Sequence, residues 1–180
     1  MSESGAHDPM MSLGVDQTGF LPREWSKSRS TTFRSSPWIN RLNEILREEL
    51  AATEIYRVLT SFRADHKLAF AASFTDEHFQ ASRQIAMMII AQRGVPADKP
   101  ATVMAGFNKT MLQLCSLMPG DINSRFSCTR LSAVEKHFCL TYASLAAAGP
   151  ASEADVLDQL GTRAAERALM LRQILDRSSL

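Results

Sequence analysis

The chain has 180 residues, and its 20 lysines and arginines nearly cancel 19 aspartates and glutamates, for a formal net charge of +1. That length holds one domain with a real core but not two of ordinary size. The charge balance also argues against a nucleic-acid partner, because a phosphate-binding surface leaves a basic excess. Aromatic residues make up 7% and there are 8 glycines, a composition of a helical globular domain rather than a sheet protein or a disordered chain.

Three cysteines, Cys115, Cys128 and Cys139, are an odd number without CxxC spacing. They read as small hydrophobes in a reducing compartment, not as disulfide halves or zinc ligands. The N-terminus shows no positive stretch followed by an apolar run. No apolar segment reaches the ~20 residues that span a bilayer. The expectation is a cytoplasmic protein without a membrane span.

Residues 1–36 are rich in Ser, Gly, Thr and Pro, and "SKSRSTTFRSSP" has no period. This composition predicts a disordered tail, with Met10, Met11, Leu13, Phe20, Leu21 and Trp25 as scattered apolar anchors. A helix is expected from Pro37, capped by Ser36, to about Arg63. A second runs from Asp65 to Arg93 and stops at Gly94, with Pro96 just beyond. The following long connection contains "ATVMAGFNKTMLQLCSLM", helix-like until "PGD" interrupts it. A third helix is expected from about Thr129 to Ala148, ending at "GP", and a fourth from the capping signal "SEAD" at Ser152 almost to the C-terminus. No useful β alternation appears. Four helices with a short first connection and a long middle one predict residues 37–180 to be an all-α, antiparallel four-helix bundle with a helical crossover between helices 2 and 3.

At about 100° per residue, the apolar stripe of the first helix is Trp38, Leu42, Ile45, Ala52 and Tyr56, with Glu49 near its centre. On the second, Phe70, Phe74, Ala81 and Met88 form the stripe; Glu77 lies close to it and Gln80 and Gln84 share its edge. On the third, Leu131, Val134, Phe138 and Leu145 form the stripe, with Glu135 and Tyr142 on its flank. Three helices thus each aim one glutamate inward. A buried carboxylate needs a cation, a metal or a proton, so the three predict a shared polar site. Glu49–Tyr56 and Glu135–Tyr142 repeat the same seven-residue spacing, two helical turns, which places each tyrosine on the face of its glutamate. The fourth helix offers the stripe Leu157, Leu160, Ala164, Ala168 and Leu171. Arg167 sits close to it, and Glu166 projects to the opposite side.

The stretch "LNEILREELAATEIYRVL" followed by "DEHFQASRQI" resembles the first two helices of bacterioferritin and the wider ferritin-like superfamily, including rubrerythrin. From Trp38 to about Arg177 the chain is also similar to a bacterial family of ferritin-like four-helix domains. In bacterioferritin an inward glutamate and a Glu-x-x-His motif bind a di-iron centre. The resemblance implies Glu49, Glu77 and Glu135 as metal ligands, with iron or manganese as the metal. Gln80 stands where the motif has its histidine, and an amide is a poor iron ligand beside imidazole. The fourth helix supplies no matching carboxylate. Arg167 instead offers a cation to the glutamates, with Gln80, Tyr56 and Tyr142 around them.

His78 falls where bacterioferritin has its interfacial haem methionine. Read from the residues it is a surface histidine rather than a haem ligand. His137 reads as a surface or interface residue, and the run "AMMII" as core or dimer surface. Dimerisation rests on the resemblance alone. Two functions fit this residue set: a non-catalytic binding or scaffold protein whose di-iron site has degenerated, or a carboxylate-bound iron or manganese protein with oxidase, peroxidase or iron-handling activity.

Overall fold

A computed structural model describes residues 36–60, 69–101 and 120–177, with the backbone alone at 120–124. Among the described residues there are four helices and no strand: α1 (Pro37–Thr60), α2 (Ala71–Ala91), α3 (Gly120–Ala148) and α4 (Ala151–Arg177). The expected disordered tail, the crossover segment and Cys115 lie outside the described residues.

Helix α1 starts as its sequence dictates. Pro37 needs no N–H partner in the first turn, and the Ser36 hydroxyl accepts the Ile39 N–H at 3.1 Å. Helix α3 begins at Gly120, earlier than the expected start near Thr129. Gly120 and Asp121 of the "PGD" segment thus lie in its first turn. Helix α4 begins at Ala151. Ser152, the expected cap, is exposed inside its first turn.

Helix α2 ends at Ala91, two residues before the expected Arg93. The Gly94 N–H bonds the Ile89 carbonyl and the Arg93 N–H bonds the Ile90 carbonyl, each at 2.8 Å. This is the Schellman pattern, and its left-handed residue is Arg93, with φ 59°. Gly94 is needed for room instead. A Cβ there would stand 2.8 Å from the Cγ2 atoms of both Ile39 and Ile89. Beyond it the chain turns back along α1, where Asn43 donates to the Val95 carbonyl and accepts from the Ala97 N–H.

The apolar interior forms two clusters. One gathers Leu42, Ile45, Leu46, Ile85, Ile89, Phe138, Leu145, Leu157 and Leu160. The other gathers Ile55, Leu59, Phe70, Phe74, Cys128, Leu131 and Leu171. On every helix the polar side chain that separates the two sets is buried: Glu49 on α1, His78 on α2, Glu135 on α3 and Arg167 on α4.

The α2 terminus makes opposite predictions for neighbouring residues. Gly94→Ala should lower unfolding stability by ~1–3 kcal/mol through overpacking against Ile39 and Ile89. Arg93→Gly should raise it by up to ~1 kcal/mol by relieving the left-handed backbone. Urea unfolding of the two variants checks both signs.

Candidate functional site

The centre of the site is His78. Its Nδ1 lies 2.6 Å from Glu49 Oε2 and its Nε2 lies 3.0 Å from Glu135 Oε1. A neutral imidazole would turn one lone pair against a carboxylate oxygen, so the geometry calls for an imidazolium that donates from both nitrogens. The Tyr56 ring stacks on the imidazole at 5.1 Å between centroids, and Phe138 packs against it at 5.3 Å.

Each glutamate is closed by further donors. The Tyr142 hydroxyl donates to Glu49 Oε1 at 2.5 Å. The Tyr56 hydroxyl donates to Glu135 Oε1 at 2.6 Å, and Arg167 Nε donates to Glu135 Oε2 at 2.8 Å. Arg167 Nη1 reaches Glu77 Oε2 at 3.1 Å, and the guanidinium carbon lies 5.9 Å from the centre of the Phe74 ring. The tyrosines are exchanged between helices: Tyr56 serves the glutamate of α3, and Tyr142 that of α1. Each hydroxyl thus bonds a glutamate of another helix and not the one seven residues before it on its own.

The charges balance. Glu49 and Glu135 face one imidazolium and one guanidinium, and all four side chains are buried. Burial alone would push the His78 pKa down, but the charge of Glu49 and the hydrogen bonds to Glu135 and Glu49 raise it from 6.5 to about 9. Burial would raise the Glu135 carboxyl; the His78 hydrogen bond and the charges of His78 and Arg167 reverse this and hold it below its ordinary value. For Arg167, burial opposes the charge, and Glu135 and Glu49 more than offset it. Tyr56 and Tyr142 are held protonated, first by burial and then by the neighbouring carboxylates. Among the described residues no buried side-chain nitrogen or oxygen lacks a hydrogen-bond partner.

The structure therefore brings together Glu49, Glu135, Tyr56, Tyr142 and Arg167 from the sequence-derived set. Glu77 stands at the rim, with its side chain 34% exposed and also held by the Ser73 hydroxyl. Gln80 does not join them. It is exposed, as is Gln84, and lines a furrow between α2 and α4. His78, expected on the surface, is the central residue. The cause of both errors is the α2 stripe. Adding Ala71, Ile85 and Ile89, all buried, rotates its centre away from Glu77 and onto His78, which lies four residues after Phe74 and three before Ala81. The signal was present in the sequence. His137 is exposed and meets Glu48 at 3.1 Å. Of the "AMMII" run, Met88 and Ile89 are buried and Met87 is exposed.

The donor set does not fit a divalent cation. Every oxygen of Glu49 and Glu135 already accepts a hydrogen bond, and a doubly donating imidazolium has no lone pair for a metal. Among the described residues no group of three or more His, Cys, Asp or Glu side chains is arranged to hold a metal ion.

A second polar link ties the helix ends. Glu153, buried in the first turn of α4, accepts from Trp38 Nε1 at 2.9 Å and from Gln92 Nε2 at 2.8 Å. The carboxylate also complements the positive end of the α4 dipole.

Among the described residues, fold and site define an all-helical structure whose core is crossed by a carboxylate–imidazolium–guanidinium layer. Compared with known proteins, the chain matches no family model, no curated protein and no solved structure. Among the described residues no helix is long and apolar enough to cross a membrane.

Two outcomes test the layer. Arg167→Ala leaves Glu135 buried without this cation and should cost ~3–5 kcal/mol of stability in urea unfolding. The His78 pKa is higher folded than unfolded, so its contribution is complete below pH 6.5 and is lost as pH rises through about 9. Stability should fall by ~3 kcal/mol across that window. The His78→Gln variant should lack that part of the slope.

Proposed function

We propose that this chain is a ferritin-like, antiparallel four-helix bundle whose di-iron position is filled by protein cations, and that it acts as a non-catalytic binding or scaffold protein. The observation that carries this reading is that every oxygen of Glu49 and Glu135 accepts a hydrogen bond from a protein donor. Two carboxylates that would bridge metals are neutralised by His78 and Arg167 and capped by two tyrosines.

Several features support the ferritin-like part. The motif-bearing stretch "DEHFQASRQI" lies on α2, opposite the "LNEILREEL" segment of α1. The two Glu–Tyr pairs meet reciprocally: Glu49 stands level with Tyr142 and Tyr56 level with Glu135. Two helices that exchange partners in this way run in opposite directions. Ile39, near the start of α1, meets Gly94 just past the end of α2, whereas Tyr56 packs on Phe70 and Phe74 near its beginning, again an antiparallel relation.

To bind iron or manganese, the protein would have to expel the Arg167 guanidinium and deprotonate His78. Both groups are held by the same carboxylates that the metal would need. With the core closed, function falls to the surfaces, through which a scaffold or binding protein works.

Elemental analysis after expression with added iron and manganese tests this. The wild-type chain should carry neither metal stoichiometrically, and added Fe²⁺ or Mn²⁺ should leave its melting temperature unchanged. Stoichiometric metal that disappears in the Glu49→Gln, Glu77→Gln double variant would establish the iron or manganese protein instead.

A further inference from the structure

From Arg125 to Ala148 helix α3 has a single acid, Glu135, and that acid is buried. Every charge this segment shows to solvent is therefore basic. On one side of the helix, at spacings that keep residues on a common face, stand Arg125, Thr129, Lys136 and Leu140, all exposed, with Phe126 beside them. Across a furrow of ≈ 350 Å³, α4 contributes Leu169 and Arg172.

The apolar residues here are unusually open. Leu140 is 71% exposed, Leu169 57% and Phe126 37%. Among the described residues, Lys136 and Arg172 form no ion pair with any carboxylate. Of the α4 acids nearest in sequence, Glu166 stands three residues before Leu169 and Asp176 one turn beyond Arg172, and neither lines the furrow. Apolar side chains in a concave furrow with free cations beside them ask for a partner that is apolar at its centre and anionic at its edges.

We infer that the α3–α4 furrow is the docking site for an acidic amphipathic helix of a partner protein. Its leucine- or methionine-type side chains would cover Leu140 and Leu169, and its carboxylates would meet Lys136 and Arg172. A furrow between two helices accepts a third helix, which anchors itself by residues spaced three and four apart. A bilayer presents a broad surface that leaves a furrow unfilled. Nucleic acid has no use for an apolar centre between the cations. The larger furrow between α2 and α4, ≈ 780 Å³, has one exposed charge, Arg83, beside the amides Gln80, Gln84 and Gln92, and so lacks the paired cations of the α3–α4 furrow. The proposal gives the binding role argued above a partner chemistry and rests on that role. Peptide binding is read without any metal, so the metal analysis and the binding test fail separately.

The test uses the full chain and a fluorescein-labelled designed helix with leucines on one face and glutamates on both flanks, followed by anisotropy. Saturable binding is expected, weakened about tenfold or more by Lys136→Glu with Arg172→Glu, and equally by Leu140→Asp with Leu169→Asp. Arg83→Glu, on the other furrow, should change the affinity less than about twofold. A peptide with lysine in place of each glutamate should not bind, and raising NaCl from about 0.05 M to about 0.5 M should weaken the acidic one. Far-ultraviolet circular dichroism verifies that the surface variants remain folded. The inference is overturned if the acidic peptide fails to saturate, if folded furrow variants bind it like wild type, or if phosphatidylglycerol vesicles bind while the peptide does not.

Discussion

The structure depends on one constraint: two buried carboxylates must be neutralised inside the protein. Each helix supplies one member of the solution, Glu49, His78, Glu135 and Arg167 in chain order. The imidazolium bridges both acids and the guanidinium secures Glu135. Two tyrosine hydroxyls occupy remaining acceptor positions. Removing any one member leaves a charge or a polar group stranded in a low-dielectric interior, where the penalty far exceeds that of an exposed ion pair.

The layer has consequences for packing. It divides the apolar interior into two clusters, so the helices are not free to slide past one another over a uniform hydrophobic seam. A shift of one turn would carry His78 away from both carboxylates and replace charged contacts with aliphatic ones. Apolar burial supplies the general attraction between the helices, and the polar layer selects one register among those that burial alone would tolerate. Glu153, with Trp38 and Gln92, performs a smaller version of this task at the start of α4.

The same closure separates the interior from the surface. Because the carboxylates are committed to protein donors and paired with protein cations, the proposed functions move outward. There the distribution of charge matters more than its total. A chain of net charge +1 still presents a wholly basic solvent face along Arg125–Ala148, since its one acid there is spent in the core. Burying Glu135 thus shapes the surface as well as the interior.

Much of this was legible in the sequence, and its limits were physical. Helix type and the inward positions of Glu49, Glu135, Tyr56, Tyr142 and Arg167 follow from a local period that any stretch of chain carries within itself. The α2 stripe could also have been drawn correctly, since Ala71, Ile85 and Ile89 point to His78. The Schellman turn was harder, because its left-handed residue is Arg93, while the neighbouring Gly94 serves to make room for Ile39 and Ile89. Only the tertiary structure decided which tyrosine serves which glutamate, that His78 bridges two acids from other helices, and that Gln80 faces outward. Those facts depend on the rotation and axial offset of whole helices relative to one another. Neither quantity is written in any single helix, and both emerge when charge neutralisation and apolar packing are satisfied together.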